Sequence, residues 1–219
     1  MSGTRLTHHD RLAGDPLPDL GAVDGLLSFG GTQSVTEIER YDYLVEEADL
    51  LREAVAREIP VLGVCLGAQL VAHAHGGEVS RLPRRHLDWL PLEPLPAAAG
   101  DPVLGALPTG AAGIHWNEDG FALPADAAEL LRSPAGSGEG FRLGERSWGV
   151  QFHPELHEAA LEDWYAEWHP ALAEAGVEEP VARAADRRHL PGQRALSEAI
   201  FGGFAHVAAS TAGRVNDHG

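Results

Sequence analysis

The single cysteine of the 219-residue chain, Cys65, stands in Gly63-Val64-Cys65-Leu66-Gly67, between the apolar run PVLGV and the helix-like LGAQLVAHA. A side chain at a strand's end, turned sharply into a helix, is presented at the carboxyl edge of a sheet. There the helix N-terminus favours a thiolate, and backbone N–H groups can face an oxygen anion. The chemistry on offer is attack on a carbonyl carbon, which needs a base and a third group to orient that base. Val150 to Glu155, VQFHPE, offers both. A strand ending at Phe152 would deliver His153 to the same edge, and Pro154 would stiffen a turn that brings Glu155 back to the imidazole. Either segment alone is weak: a lone cysteine is as readily a buried small hydrophobe or half of an intermolecular bridge, and a histidine before proline is more often a packing or surface residue.

These segments need a scaffold that brings them to one edge. VDGLLSFGG (Val23 to Gly31) has the form of a short strand ending in a double glycine, after a loop at DPLPDLG. Leu44, Ala48, Leu51, Ala54 and Val55 recur at helical spacing within Tyr41 to Glu58, and Pro60 closes that helix. PVLGV is a second strand, and Leu66 to His75 a second helix stopped by Gly76 and Gly77. Strand, helix, strand, helix implies an α/β domain with a mainly parallel sheet. EVSRLP and HLDWLPLEPL are extended, Ala97 to Gly110 is a loop with a brief helical turn, and ELLRSP, EGFRLG and SWGVQFHPE are three short strands, so the sheet becomes mixed. Helices follow at Ala160 to Trp168, Val181 to His189 and Gln193 to Ala209, the last with a stripe of Leu196, Ile200, Phe204 and Val207. The expectation is one domain over residues 1–219, with an irregular start at 1–20, a helical part at 157–209 and a frayed tail at 210–219.

Composition narrows the partners. Sixteen basic against 33 acidic residues give a formal charge of -17, which argues against binding nucleic acid or an anionic membrane. No apolar run is long enough to span a bilayer, and MSGTRLTHHDRLAG lacks the core of a secretory signal, so the chain reads as cytoplasmic. Trp89, Trp116 and Trp148 are taken as scaffold, and His73 and His75 as packing or surface residues.

GVCLGAQ followed by GVQFHPE resembles the paired signatures of the class I glutamine amidotransferases, most closely the stand-alone proteins related to the glutaminase domain of GMP synthase. The likeness runs from about Gly14 through both motifs and weakly into the terminal helices. It implies a flavodoxin-like α/β fold with Cys65 as nucleophile, His153 as base and then acid, and Glu155 as the group that holds the histidine. Phe29-Gly30-Gly31-Thr32 matches the family's oxyanion loop, so the N–H groups of Gly31 and Leu66 would hold the oxyanion, with Gly30 and Gln69 at substrate-contacting positions. A double glycine independently permits close backbone approach. The reaction implied is hydrolysis of the glutamine side-chain amide, or a related γ-glutamyl amide, through a thioester. It requires no metal or organic cofactor and releases ammonia for a separate synthetase. A γ-glutamyl hydrolase or cysteine peptidase, and a silent regulatory subunit, are the alternatives.

The sequence departs from the family in three places. Relatives open with an apolar strand and helix before the segment matching LAGDPLPDL, and MSGTRLTHHDR cannot supply both. The expectation is therefore a start further upstream, or a sheet lacking the strand beside PVLGV. Thr32 stands where proline is common, implying a less preorganised loop. Asn117, in HWNEDGF, stands where histidine is common.

Overall fold

The computed structural model describes residues 4–215. An irregular segment leads to a 3-10 turn at Leu20–Ala22, capped by the Asp19 carboxylate on the Gly21 N–H, and then to strand β1 (Leu26–Ser28). A second 3-10 segment, Val35–Arg40, precedes helix α1 (Asp42–Ala56), strand β2 (Val61–Val64) and helix α2 (Leu66–Ala74). Strands β3 (Val79–Pro91), β4 (Glu93–Pro94), β5 (Ala112–Phe121), β6 (Ala127–Ser133), β7 (Gly136–Leu143) and β8 (Ser147–Val150) follow. Helices α3 (Glu158–Glu174) and α4 (Glu179–Val215) close the described chain.

The main sheet runs β1-β2-β8-β7-β6-β4, parallel through β1, β2 and β8 and antiparallel beyond. β2 and β8 are buried at every residue, as strands covered on both faces must be. On one face Val61 and Leu26 meet Leu44, Leu51, Leu70 and Val71 of α1 and α2. On the other Leu62, Val64, Trp148 and Val150 meet Leu196, Ile200 and Phe204 of α4, so the expected stripe of the last helix is the sheet's second cover. Each fully buried leucine here contributes about 1.5–3 kcal/mol of transfer free energy. β3 and β5 form a separate antiparallel ribbon, bulged between Arg81 and His86, against which Leu161, Tyr165 and Leu172 of α3 pack. The loop at 97–110 is held by Asp101, whose buried carboxylate accepts from the N–H groups of Val103 and Leu104 and from Trp148 Nε1.

Three expectations change. β2 has β1 on one side and β8 on the other, so the strand carrying Cys65 does not lack a neighbour. α4 runs unbroken through Pro191, where a break was expected. Proline withholds one N–H from the carbonyl of Arg187, but the helix is anchored on both sides of it, by Asp186 to the ribbon and by Leu196 to the sheet. Helix also continues from 210 to Val215, and the remaining four residues of the expected tail lie outside the described residues. β5 was not anticipated, although HWNEDGF lies within it.

Candidate active site

Cys65 joins β2 to α2. Its N–H donates to Val150 O at 2.8 Å, extending the β2–β8 ladder, and its carbonyl accepts the helical N–H of Gln69 at 3.0 Å. Between these two commitments the backbone must turn, and Cys65 takes φ 52°, ψ -109°, a left-handed conformation that costs a non-glycine residue on the order of 1–3 kcal/mol. The neighbouring glycines serve contact rather than their own backbone angles. A Cβ at Gly63 would lie 2.6 Å from Ala68 N, and one at Gly67 would lie 2.1 Å from Ser28 O. Helix α2 can therefore sit directly on β1 and β2 only with glycine at both positions.

His153 follows β8 and is 3% exposed. Its Nδ1–H donates to Glu155 Oε1 at 2.6 Å, Pro154 lying in the turn between them. Its Nε2 and Glu155 Oε2 are buried and make no hydrogen bond. A Cβ built on Gly30 would be 3.0 Å from His153 Cε1 and 3.5 Å from Cys65 Cβ, so Gly30, the thiol and the imidazole converge on one point. Burial pushes the imidazole towards neutrality, but the charges of Cys65 and then Glu155, with the hydrogen bond to Glu155, outweigh it and push His153 up to about 10. The site thus favours an imidazolium, a group able to give up a proton at Nε2.

The loop after β1 lies on the first turn of α2: a Cβ at Gly31 would be 2.8 Å from Leu66 Cδ2. The Leu66 N–H, first in its helix, has no intrahelical acceptor. Thr32 is exposed, and the loop is tethered two residues later by Ser34, whose hydroxyl donates to the buried Asp119. Gln69 is 3% exposed and turned into a buried network, its Nε2 donating to Asp119 O and Gln151 Oε1, each at 3.2 Å. Asn117 Nδ2 donates to the same Asp119 carbonyl at 2.9 Å.

Four residues that sequence reasoning missed complete the surroundings: Asp119, Gln151, Trp164 and Gln193. Trp164 of α3 stands perpendicular to the His153 ring with centroids 4.9 Å apart, and Gln193 Nε2 of α4 donates to His153 O at 2.8 Å. The first two lay inside quoted motifs; the last two reach the site only through tertiary packing. A second histidine–glutamate pair, also unforeseen, lies within the strands: His115 Nε2 and Glu139 Oε2 are 2.6 Å apart, Ser133 Oγ donates to Glu139 Oε1, and His115 Nδ1 meets Gly113 O at 3.1 Å.

The tryptophans divide as scaffold. Trp148 is fully buried, Trp89 Nε1 donates to Asp186 at 2.8 Å, and Trp116 packs edgewise on Trp164 and Tyr165. Among the described residues no group of three or more histidine, cysteine, aspartate or glutamate side chains is placed to hold a metal ion, and no helix is long and apolar enough to cross a membrane.

The family model for glutamine amidotransferase class-I matches residues 8–165. The glutamine amidotransferase-like protein YfeJ of Salmonella typhimurium is 30% identical over 154 residues, 68% of this chain and 64% of that one. A subunit of the glutamine-hydrolyzing GMP synthase of Methanothermobacter thermautotrophicus is 32% identical over 145 residues, 65% of this chain and 72% of that one. The crystal structure of a glutamine amidotransferase from Methylobacillus flagellatus superposes with a TM-score of 0.78 at 28% identity, covering 90% of this chain and 82% of that one. The chain spans 64% of the length of the Salmonella protein and only 26% of a longer curated relative.

Proposed function

The chain belongs to the class I glutamine amidotransferase family, and from that premise we propose that it hydrolyses the side-chain amide of glutamine through a thioester on Cys65. The observation that carries the reading is the meeting of three groups at Gly30: a nucleophile held in a left-handed turn, an imidazole pushed towards its charged form, and a glycine loop lying on the start of a helix.

The steps follow from that arrangement. Cys65 Sγ attacks the amide carbon, and the carbonyl oxygen becomes an oxyanion facing the N–H groups of Gly31 and Leu66, donors most valuable where charge develops. His153 Nε2, otherwise without a partner, gives its proton to the departing nitrogen, so ammonia leaves as the C–N bond breaks. Water then attacks the thioester, His153 takes its proton, and the C–S bond breaks to give glutamate and restore the thiolate. Glu155 holds the ring through Nδ1, leaving Nε2 for the chemistry. Gln69, at the position the family resemblance gives to substrate contact, is held in place by Asp119 and Gln151.

The ammonia is released for a separate synthetase. The name of the archaeal relative, one subunit of a glutamine-hydrolyzing synthase, supports that arrangement. The test is direct: purified protein supplied with glutamine, alone and with candidate synthetases, should yield glutamate and ammonia in equal amounts, and Cys65→Ala should abolish both. Turnover by the alanine variant, or turnover of other γ-glutamyl amides but never glutamine, would sink this assignment.

A further inference from the structure

The family match ends at residue 165, yet α4, which lies wholly beyond it, touches the catalytic histidine. Gln193 is 4% exposed and reaches across 40 positions of sequence to donate its Nε2–H to the His153 carbonyl at 2.8 Å. The N–H of the same histidine donates to Ile114 O of β5 at 2.9 Å. Both backbone groups of His153 are therefore clamped, one by the ribbon and one by α4, and Pro154 restricts the residue from the following side. With the backbone so fixed, the Cα–Cβ direction that aims the imidazole at Cys65 is fixed too.

The partner-free end of the same side chain strengthens the case. Gln193 Oε1 is buried and makes no hydrogen bond. A buried amide oxygen left unpaired is unfavourable, and an apolar side chain of similar volume would fill the position without that cost. What the amide provides in return is its single bond to His153. Helix α4 is itself held in place independently of the site: Asp186, about two turns before the clamp, accepts from Trp89 Nε1 at 2.8 Å and from the Tyr165 hydroxyl at 2.6 Å. Leu196 lies fully packed beneath the sheet just after it.

We propose that Gln193 is a positioning residue for His153, so that α4 is a working part of the catalytic apparatus and not only a cover for the sheet. This rests on the reading of Cys65 and His153 as a catalytic pair, and the experiment separates the two. Because Cys65 is the only cysteine, its alkylation by iodoacetamide reports the thiol without any substrate.

The rate is measured from pH 5 to pH 10 for the unaltered protein, His153→Ala, Gln193→Met and Gln193→Asn. Methionine keeps the length and loses the donor, while asparagine keeps the amide one methylene short. His153→Ala should remove the reactivity at neutral pH, and both Gln193 variants should lose most of it, with the reactive limb displaced to higher pH. With glutamine, kcat should fall about tenfold or more at unchanged KM, as a misaimed base would cause. A purely structural glutamine would lower the melting temperature and leave the alkylation profile where it was, and that result overturns the proposal. So does failure of both variants to fold. A thiol indifferent to His153 itself refutes the catalytic pair instead, and normal alkylation effects without glutamine turnover refute only the substrate.

Discussion

Among the described residues two histidine–glutamate pairs share the same 2.6 Å separation, His153–Glu155 and His115–Glu139, and they differ in what is left over. In the second pair every polar atom is occupied: both nitrogens of His115 face acceptors, and both oxygens of Glu139 are bonded, one of them by Ser133. In the first pair His153 Nε2 and Glu155 Oε2 are buried and make no hydrogen bond. A fully satisfied network rigidifies the strands around it, whereas the spare nitrogen beside Cys65 is a place where a proton can be given and taken. On the proposed function, spare bonding capacity beside the thiol distinguishes the catalytic pair, and proximity of histidine to carboxylate alone does not.

The widest separation between the two should come from His153→Ala, expected to act chiefly on catalysis, lowering kcat/KM for glutamine by roughly a thousandfold or more. His115→Leu should do the reverse. It strands the buried Glu139 and should cost about 3–5 kcal/mol of stability, read as a fall in melting temperature of roughly 2–4 °C per kcal/mol. A stable His115→Leu protein that had lost activity would dissolve the distinction.

Glu155→Gln should also lower kcat, because the amide no longer holds the ring in the required tautomer, and it should move the alkaline limb of activity to lower pH. Removing the carboxylate takes away one of the two charges that push His153 up, the Cys65 charge remaining.

The smallest effects lie in the pH dependence of stability, where the pairs should fail at opposite ends. Burial pushes the Glu139 carboxyl up, but the hydrogen bond and charge of His115, with Ser133, outweigh it and hold the carboxyl below its ordinary value of 4.5. Its contribution is present above 4.5 and lost as pH falls through the lowered native value. His153 is raised, so its contribution is complete below 6.5 and lost as pH climbs towards about 10. Melting temperatures across pH should show Glu139→Gln flattening the acid side and His153→Ala the alkaline side.

The sequence disclosed one pair and hid the other for a physical reason. Cys65, His153 and Glu155 sit in short contiguous segments where a strand end meets a turn, so residue type and local punctuation locate them. The stripes Leu44-Ala48-Leu51-Ala54 and Leu196-Ile200-Phe204 were equally legible because apolar burial is periodic. β5 was not, since several of its buried positions hold His115, Asn117 and Asp119, polar residues that erase the usual alternation. Gln193 left no trace either. Its partner lies 40 residues away, and the two separate helices expected around it are one helix kept whole by tertiary anchoring.

That unbroken helix bears on how the protein can be cut. Shortening the chain to the stretch that the family model matches, ending at Tyr165, would strip Leu196, Ile200 and Phe204 from beneath Leu62, Val64 and Trp148 and expose much of one face of the sheet. The end of that sequence match is not a seam in the fold. An engineer seeking a shortened domain, or a fusion joint, has to place it beyond α4.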